Sequence, residues 1–159
     1  MRPYAKIKSC SEQEFYKIVD ISRYMGLNGV GPRVISHNYI DGKGVLEMER
    51  LPYSFEGTSK KDVNYTLQDV DRNLFIQHVN AKINLMHALG FAHGDLHISN
   101  IVFNKDPFYV YIIDFETTYN ITADKHDPEV LDLMETGYEW TGTYDEFVNM
   151  DYTHWRNYV

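Results

Sequence analysis

Asp95 and Asn100 stand in the run His93-Gly94-Asp95-Leu96-His97-Ile98-Ser99-Asn100, and Asp114 follows fourteen residues after Asn100 in Ile112-Ile113-Asp114-Phe115. One chemistry that needs these residue types is phosphoryl transfer from ATP. It uses a carboxylate to orient an attacking hydroxyl and accept its proton, and further oxygen ligands to hold Mg²⁺ against the phosphates. Clustered acids repel one another unless a cation compensates them, so the grouping itself argues for a bound metal. The bland alternative is that Asp95 caps a turn and Asp114 ends a strand. At ordinary residue frequencies, the four fixed positions His93, Asp95, Leu96 and Asn100 co-occur by chance on the order of once in a thousand chains of this length.

Such residues need elements to hold them. Phe75, Val79, Ile83 and Met86 recur at helical spacing and predict a helix ending at Gly90, just before the Asp95 run. The apolar runs 101–103 and 110–113, with turn residues Asn104 to Pro107 between them, predict a small hairpin. That hairpin brings Asn100 and Asp114 to the same end of neighbouring strands. Upstream, residues 3–8 alternate as a short strand. Ser11, Glu14 and the apolar positions Phe15, Ile18, Val19 and Ile21 predict a capped amphipathic helix that stops near Gly26. Two strands around Asp41-Gly42-Lys43-Gly44 predict a second hairpin. Residues 54–69 read as a connection with a short helix, and Pro128 to about Tyr138 as a last helix. No element is assigned to the aromatic tail beyond.

At 159 residues and 43% hydrophobic, the chain suits one compact domain or two small lobes sharing a core. No run approaches the roughly 18 apolar residues of a membrane span, and the N-terminal MRPYAKIKSC lacks the apolar stretch of a secretory signal. The expectation is a soluble, cytoplasmic protein with no membrane partner. The single Cys10 forms no internal disulfide, which fits a reducing compartment. A net charge of −8 argues against binding nucleic acid, which needs clustered Lys and Arg. The 13 tyrosines and 8 phenylalanines read as core filling in a short chain.

The Asp95 run resembles the catalytic loop H-x-D-L-x-x-x-N of the protein-kinase-like superfamily, and Ile-Asp-Phe resembles its metal-binding segment. The form HGDLHxxN is closest to small, atypical and viral branches and to aminoglycoside and choline kinases. The resemblance implies an α+β, two-lobed fold of minimal size, with a truncated β-rich N-lobe over residues 1–51 and a reduced, mainly helical C-lobe over 52–159. It implies Asp95 as catalytic base, Asn100 and Asp114 as ligands of Mg²⁺ (or Mn²⁺), and His93 as a packing residue. His97 takes the place where many protein kinases carry a phosphate-steadying Lys. Glu116 replaces the Gly of Asp-Phe-Gly, as in choline and ethanolamine kinases. Val45 to Leu51 resembles the strand running into the interlobe hinge, where the backbone of Glu49 and Leu51 would meet adenine and Met48 would line the back wall.

The N-terminal match is thinner. Lys8, or else Lys6, is the phosphate-binding Lys, with Lys8 favoured because Ile7 precedes it, and its helix partner is Glu14 or Glu12. Seven residues precede Lys8, too few for the two strands and Gly-rich turn that cover ATP phosphates. Forty-three residues follow Glu116, without an Ala-Pro-Glu motif. The small size fits a virus or another reduced genome. Two functions follow from the resemblance. The first is an ATP·Mg-dependent kinase acting on a hydroxyl of a protein, or else of a small molecule. The second is a catalytically weak kinase mimic that binds a partner kinase or its substrate. In a third variant, a partner protein completes the truncated lobes and activity appears only in the complex.

Overall fold

The computed structural model describes residues 2–121, 131–133, 138–140 and 144–159. Its architecture is α+β, with helices and short antiparallel sheets. Strand β1 (Tyr4–Ser9) leads into helix α1 (Glu12–Leu27), followed by the hairpin β2 (Val34–Ile40) and β3 (Lys43–Met48). These strands form an antiparallel sheet in the order β1-β3-β2. The turn between β2 and β3 is the two-residue Asp41-Gly42, with φ of 53° and 78°. Positive φ at both positions matches the right-handed twist of the strands, which is why Asp-Gly marks a tight hairpin.

Helix α1 begins where Ser11 accepts a hydrogen bond from the Glu14 N–H, the cap expected from sequence, and ends one residue beyond Gly26. Its buried stripe of Phe15, Ile18, Val19, Ser22 and Met25 follows helical three-to-four spacing. Phe15, Ile18 and Val19 pack on Leu46 and Met48 of β3 as one buried cluster. Each such side chain taken from water contributes about 1.5–3 kcal/mol. Gly44 makes this packing possible, since a β-carbon there would run into the Phe15 ring.

Beyond the sheet come β4 (Tyr53–Ser54), α2 (Lys60–Thr66), α3 (Arg72–Ala88), β5 (Phe91–Ala92), β6 (Ile101–Lys105), β7 (Phe108–Ile112) and β8 (Tyr119–Asn120). The predicted α3 stripe is wholly buried: Phe75, Val79, Ile83 and Met86 pack with Phe103, Val110, Ile112 and Trp155 in the larger core. Strands β4, β6 and β7 form a second sheet, and β5 pairs with β8. Val30, just past α1, belongs to this larger core, and the Ile112 N–H of β7 donates to its carbonyl at 3.0 Å.

One expectation is corrected. The segment 128–138, read as a helix, contains strand β9 (Leu131–Leu133), which pairs antiparallel with β10 (Tyr138–Trp140). Residues 128–130 and 134–137 lie outside those described. The apolar Leu131 and Leu133 recur at a period of two, a strand signal that the early Pro128 obscured. The chain closes with α4 (Tyr144–Thr153) and a 3₁₀ turn, Trp155–Tyr158, whose Trp155 is fully buried.

Candidate active site

Strand pairing accounts for most of the site. The β6–β7 register sets Ile101 opposite Ile112, so residue 100 falls beside residue 113, and the Ile113 N–H donates to the Asn100 carbonyl at 2.9 Å. Asn100, on a 3₁₀ turn and nearly buried, donates through Nδ2 to the Asp95 carbonyl at 2.8 Å. Asp95, Asn100 and the strand that ends in Asp114 are thereby held in one hydrogen-bonded frame.

The loop that carries Asp95 is fixed from beneath. His93 is fully buried. Its Nε2–H donates to the Ile113 carbonyl at 2.9 Å, and its Nδ1 accepts from the Asp95 N–H at 3.2 Å, a consistent tautomer. Thr117 Oγ1 donates to the His93 carbonyl at 3.0 Å. Gly94 has φ of 85°, and a β-carbon there would lie 3.0 Å from both the Phe147 ring and the Thr117 carbonyl. Glycine satisfies both demands.

Asp151 completes the support. It is 0% exposed, and its carboxylate accepts from the His93 N–H at 2.8 Å and the Gly94 N–H at 3.1 Å. His87, in the last turn of α3, meets the same carboxylate at 2.8 Å. The sequence reading missed this residue. A signal existed: Phe147, Asp151 and Trp155 recur every four residues, so the acid sits on an apolar stripe.

Above this frame the Asp95 side chain is 49% exposed, with His97 Nε2 at 3.7 Å from its carboxylate. His97 Nδ1 lies 2.5 Å from Ser99 Oγ, and its ring meets that of His154 edge-on at 5.9 Å. Asp114 adopts the left-handed conformation, φ 66° and ψ 71°. That geometry is uncommon for a residue with a β-carbon, and Asp is among the few that tolerate it.

Four charges gather at this turn. Lys6 Nζ pairs with Asp114 Oδ1 and reaches Glu116 Oε2 at 3.2 Å, while Lys8 Nζ pairs with Glu116 Oε2 at 2.7 Å. Burial works against the Lys6 ammonium, but Asp114 and then Glu116 outweigh it and hold its pKa above 10.5. Burial also disfavours a charged Glu116, yet the hydrogen bond from Lys8 and the charges of Lys6 and Lys8 hold its carboxyl below 4.5. These contacts correct the expected pairing of Lys8 with Glu14 or Glu12. Glu14 lies exposed in the first turn of α1, where its N–H caps onto Ser11, while both lysines project towards the two carboxylates instead. Lys6, not the favoured Lys8, stands beside Asp114.

Next to this cluster lies a cavity of about 440 Å³. The predicted hinge residues Met48, Glu49 and Leu51 line one side, and Ser99, Val102 and Ile113 the other. The Glu49 N–H is engaged by the Arg33 carbonyl at 3.0 Å and its side chain accepts from the Arg33 N–H at 2.9 Å, which fixes the strand exit beside the cavity. The site therefore combines a half-exposed carboxylate, an Asn and an Asp on a shared frame, ammonium groups at the Asp, and a partly apolar cavity. That set fits a nucleotide with a divalent cation, since the Lys6 ammonium already stands where Asp114 would meet positive charge. A cation bound here would have Asn100 and Asp114 as the side chains of this frame to hold it, with the Lys6 ammonium already paired with Asp114 beside them.

Comparison with known families gives a match. The model described as the lipopolysaccharide kinase (Kdo/WaaP) family matches residues 55–152, well over half of the chain. No curated protein matches it.

Proposed function

The chain belongs to the lipopolysaccharide kinase (Kdo/WaaP) family of the protein-kinase-like superfamily, and from that premise we propose that it transfers the γ-phosphoryl group of ATP to an alcohol. The observation that carries this reading is the frame uniting Asp95, Asn100 and the Asp114 strand beside the cavity. Asp95 orients the acceptor hydroxyl and takes its proton as the new ester bond forms. Asn100 and Asp114 hold the cation, Lys6 the phosphates, and the Met48–Leu51 strand exit together with Val102 the purine. Bound Mg·ATP supplies the phosphoryl group and the neutralising charge that this chemistry requires.

A unit over 1–51 and another over 52–159 stay part of this proposal: α1 and β3 share one buried cluster, while Met25 and Val30 join the larger cluster around α3, β6 and β7. For the acceptor, the family's description puts a saccharide hydroxyl first for testing, beside the protein and small-molecule hydroxyls expected from the sequence. The test is thermal melting with and without Mg·ATP, followed by ATP consumption with a saccharide acceptor. Mg·ATP should raise Tm in the wild type. Asp95→Asn and Asp114→Asn should each abolish consumption in a protein that stays folded. Equal turnover by the wild type and both variants overturns the proposal.

A further inference from the structure

Lys6 and Lys8 alternate with Ile7 on β1, so both ammonium groups lie on one face while Ile7, 67% exposed, faces outward. Across the cleft, Asp114 and Glu116 belong to the turn that follows β7. The contacts between the two pairs are unequal. Lys6 divides itself between Asp114 and Glu116, whereas Lys8 meets Glu116 at 2.7 Å and no other carboxylate among the described residues. If Asp114 holds a cation and Lys6 turns to phosphates, as in the function proposed above, the Lys6 contacts must open. The Lys8–Glu116 contact has no reason to. Glu14, on α1, reaches neither lysine.

We propose that Lys8 and Glu116 form a permanent strut between β1 and the metal-binding turn, making Glu116 a positioning residue that sets Lys6 at the right height over Asp114. The inference rests on the phosphotransferase reading for its purpose and on the four-charge geometry for its substance. A strut of this kind acts by charge complementarity alone. It therefore tolerates exchange of the two charges, whereas a direct metal ligand at position 116 does not.

The test is a double-mutant cycle of Lys8→Met, Glu116→Gln and their combination, with the charge-exchanged protein Lys8→Glu/Glu116→Lys alongside. Two quantities are read: Tm without ligand, and Mn·ATP affinity from water-proton relaxation. Each single variant should lower Tm and weaken Mn·ATP binding about tenfold, within the range that contacting charged pairs show in such cycles. The acceptor KM should be unchanged. The combined neutral variant should be no worse than Glu116→Gln alone, and the exchanged protein should recover Mn·ATP affinity to within about threefold of wild type. An exchanged protein that binds as poorly as the singles overturns a strut held by charge complementarity alone. Additive Tm losses overturn it as well, since the two residues then act independently. Coupling in Tm together with a wild type that binds no Mn·ATP overturns both the positioning role and the phosphotransferase reading, while coupling in both quantities supports both.

Discussion

Replacing Asp151 should damage the site without touching any group that faces a substrate. Its carboxylate, 0% exposed, receives the His93 and Gly94 N–H groups at 2.8 and 3.1 Å and His87 at 2.8 Å. Hydrogen bonds to a charged group contribute about 1.5–3 kcal/mol each, and a buried donor left without a partner costs about 1–3 kcal/mol. Asp151→Ala strands two backbone donors at once, so a loss of about 3–5 kcal/mol is expected, the range seen when one partner of a buried pair is removed. For a chain of this size that corresponds to a fall in Tm of roughly 6–20 °C. Asp151→Asn keeps one acceptor oxygen but turns an NH₂ towards a backbone N–H, and should cost about 2–3 kcal/mol. The Asn variant stays folded and carries the kinetic test: a loop shifted by about 1 Å costs on the order of a hundredfold in turnover. Urea unfolding gives the first quantity and steady-state ATP consumption the second. An Asp151→Ala protein that melts within about 2 °C of wild type, or an Asp151→Asn protein with wild-type turnover, would refute the reasoning.

Other substitutions probe separate contacts. Gly31→Ala places a β-carbon 2.8 Å from the Ile112 carbonyl and 2.9 Å from the Phe115 ring, and should destabilise by about 1–3 kcal/mol in urea unfolding; an unchanged midpoint would show that the ring gives way freely. Val102→Phe extends a side chain into the cavity beneath the proposed purine, and should weaken Mg·ATP binding at least about tenfold by calorimetry with little change in Tm; retained affinity would move the nucleotide elsewhere. Acid should reveal Glu116. Its folded-state pKa lies below 4.5, so its contribution is present above that value and is lost as pH falls through the lower one. The Tm gap between wild type and Glu116→Gln should be widest near neutrality and close on acidification, and a gap unchanged at about pH 3 would contradict the pairing.

Much of this architecture was legible in the residues, because local chemistry and tertiary demand agree there. Ser11 capped the helix it was expected to cap, Asp41-Gly42 made the tight hairpin, and the α3 stripe reached the core. The lysine assignment failed for a different reason. Lys6 and Lys8 share one face of β1, and which ammonium meets which acid depends on how far the strand reaches across the cleft, a distance that alternation does not encode. Glu14 or Glu12 was expected as the partner because the family resemblance puts that acid on the helix after the strand, yet the carboxylates that meet the lysines stand more than a hundred residues away. Asp151 was hidden by composition. In a tail rich in acids and aromatics, one buried carboxylate looks like its solvated neighbours until its fourfold spacing with Phe147 and Trp155 is counted.

The Phe15 ring fills the notch that Gly44 leaves in the β3 backbone. An aromatic plug in a backbone socket behaves as a keyed joint: neighbouring settings of α1 against the sheet are blocked by the rims of the socket, and gradual sliding is not available. Any regulator that moves this helix must first withdraw the plug, so it would meet a threshold and give an abrupt response where a smoother interface would give a graded one.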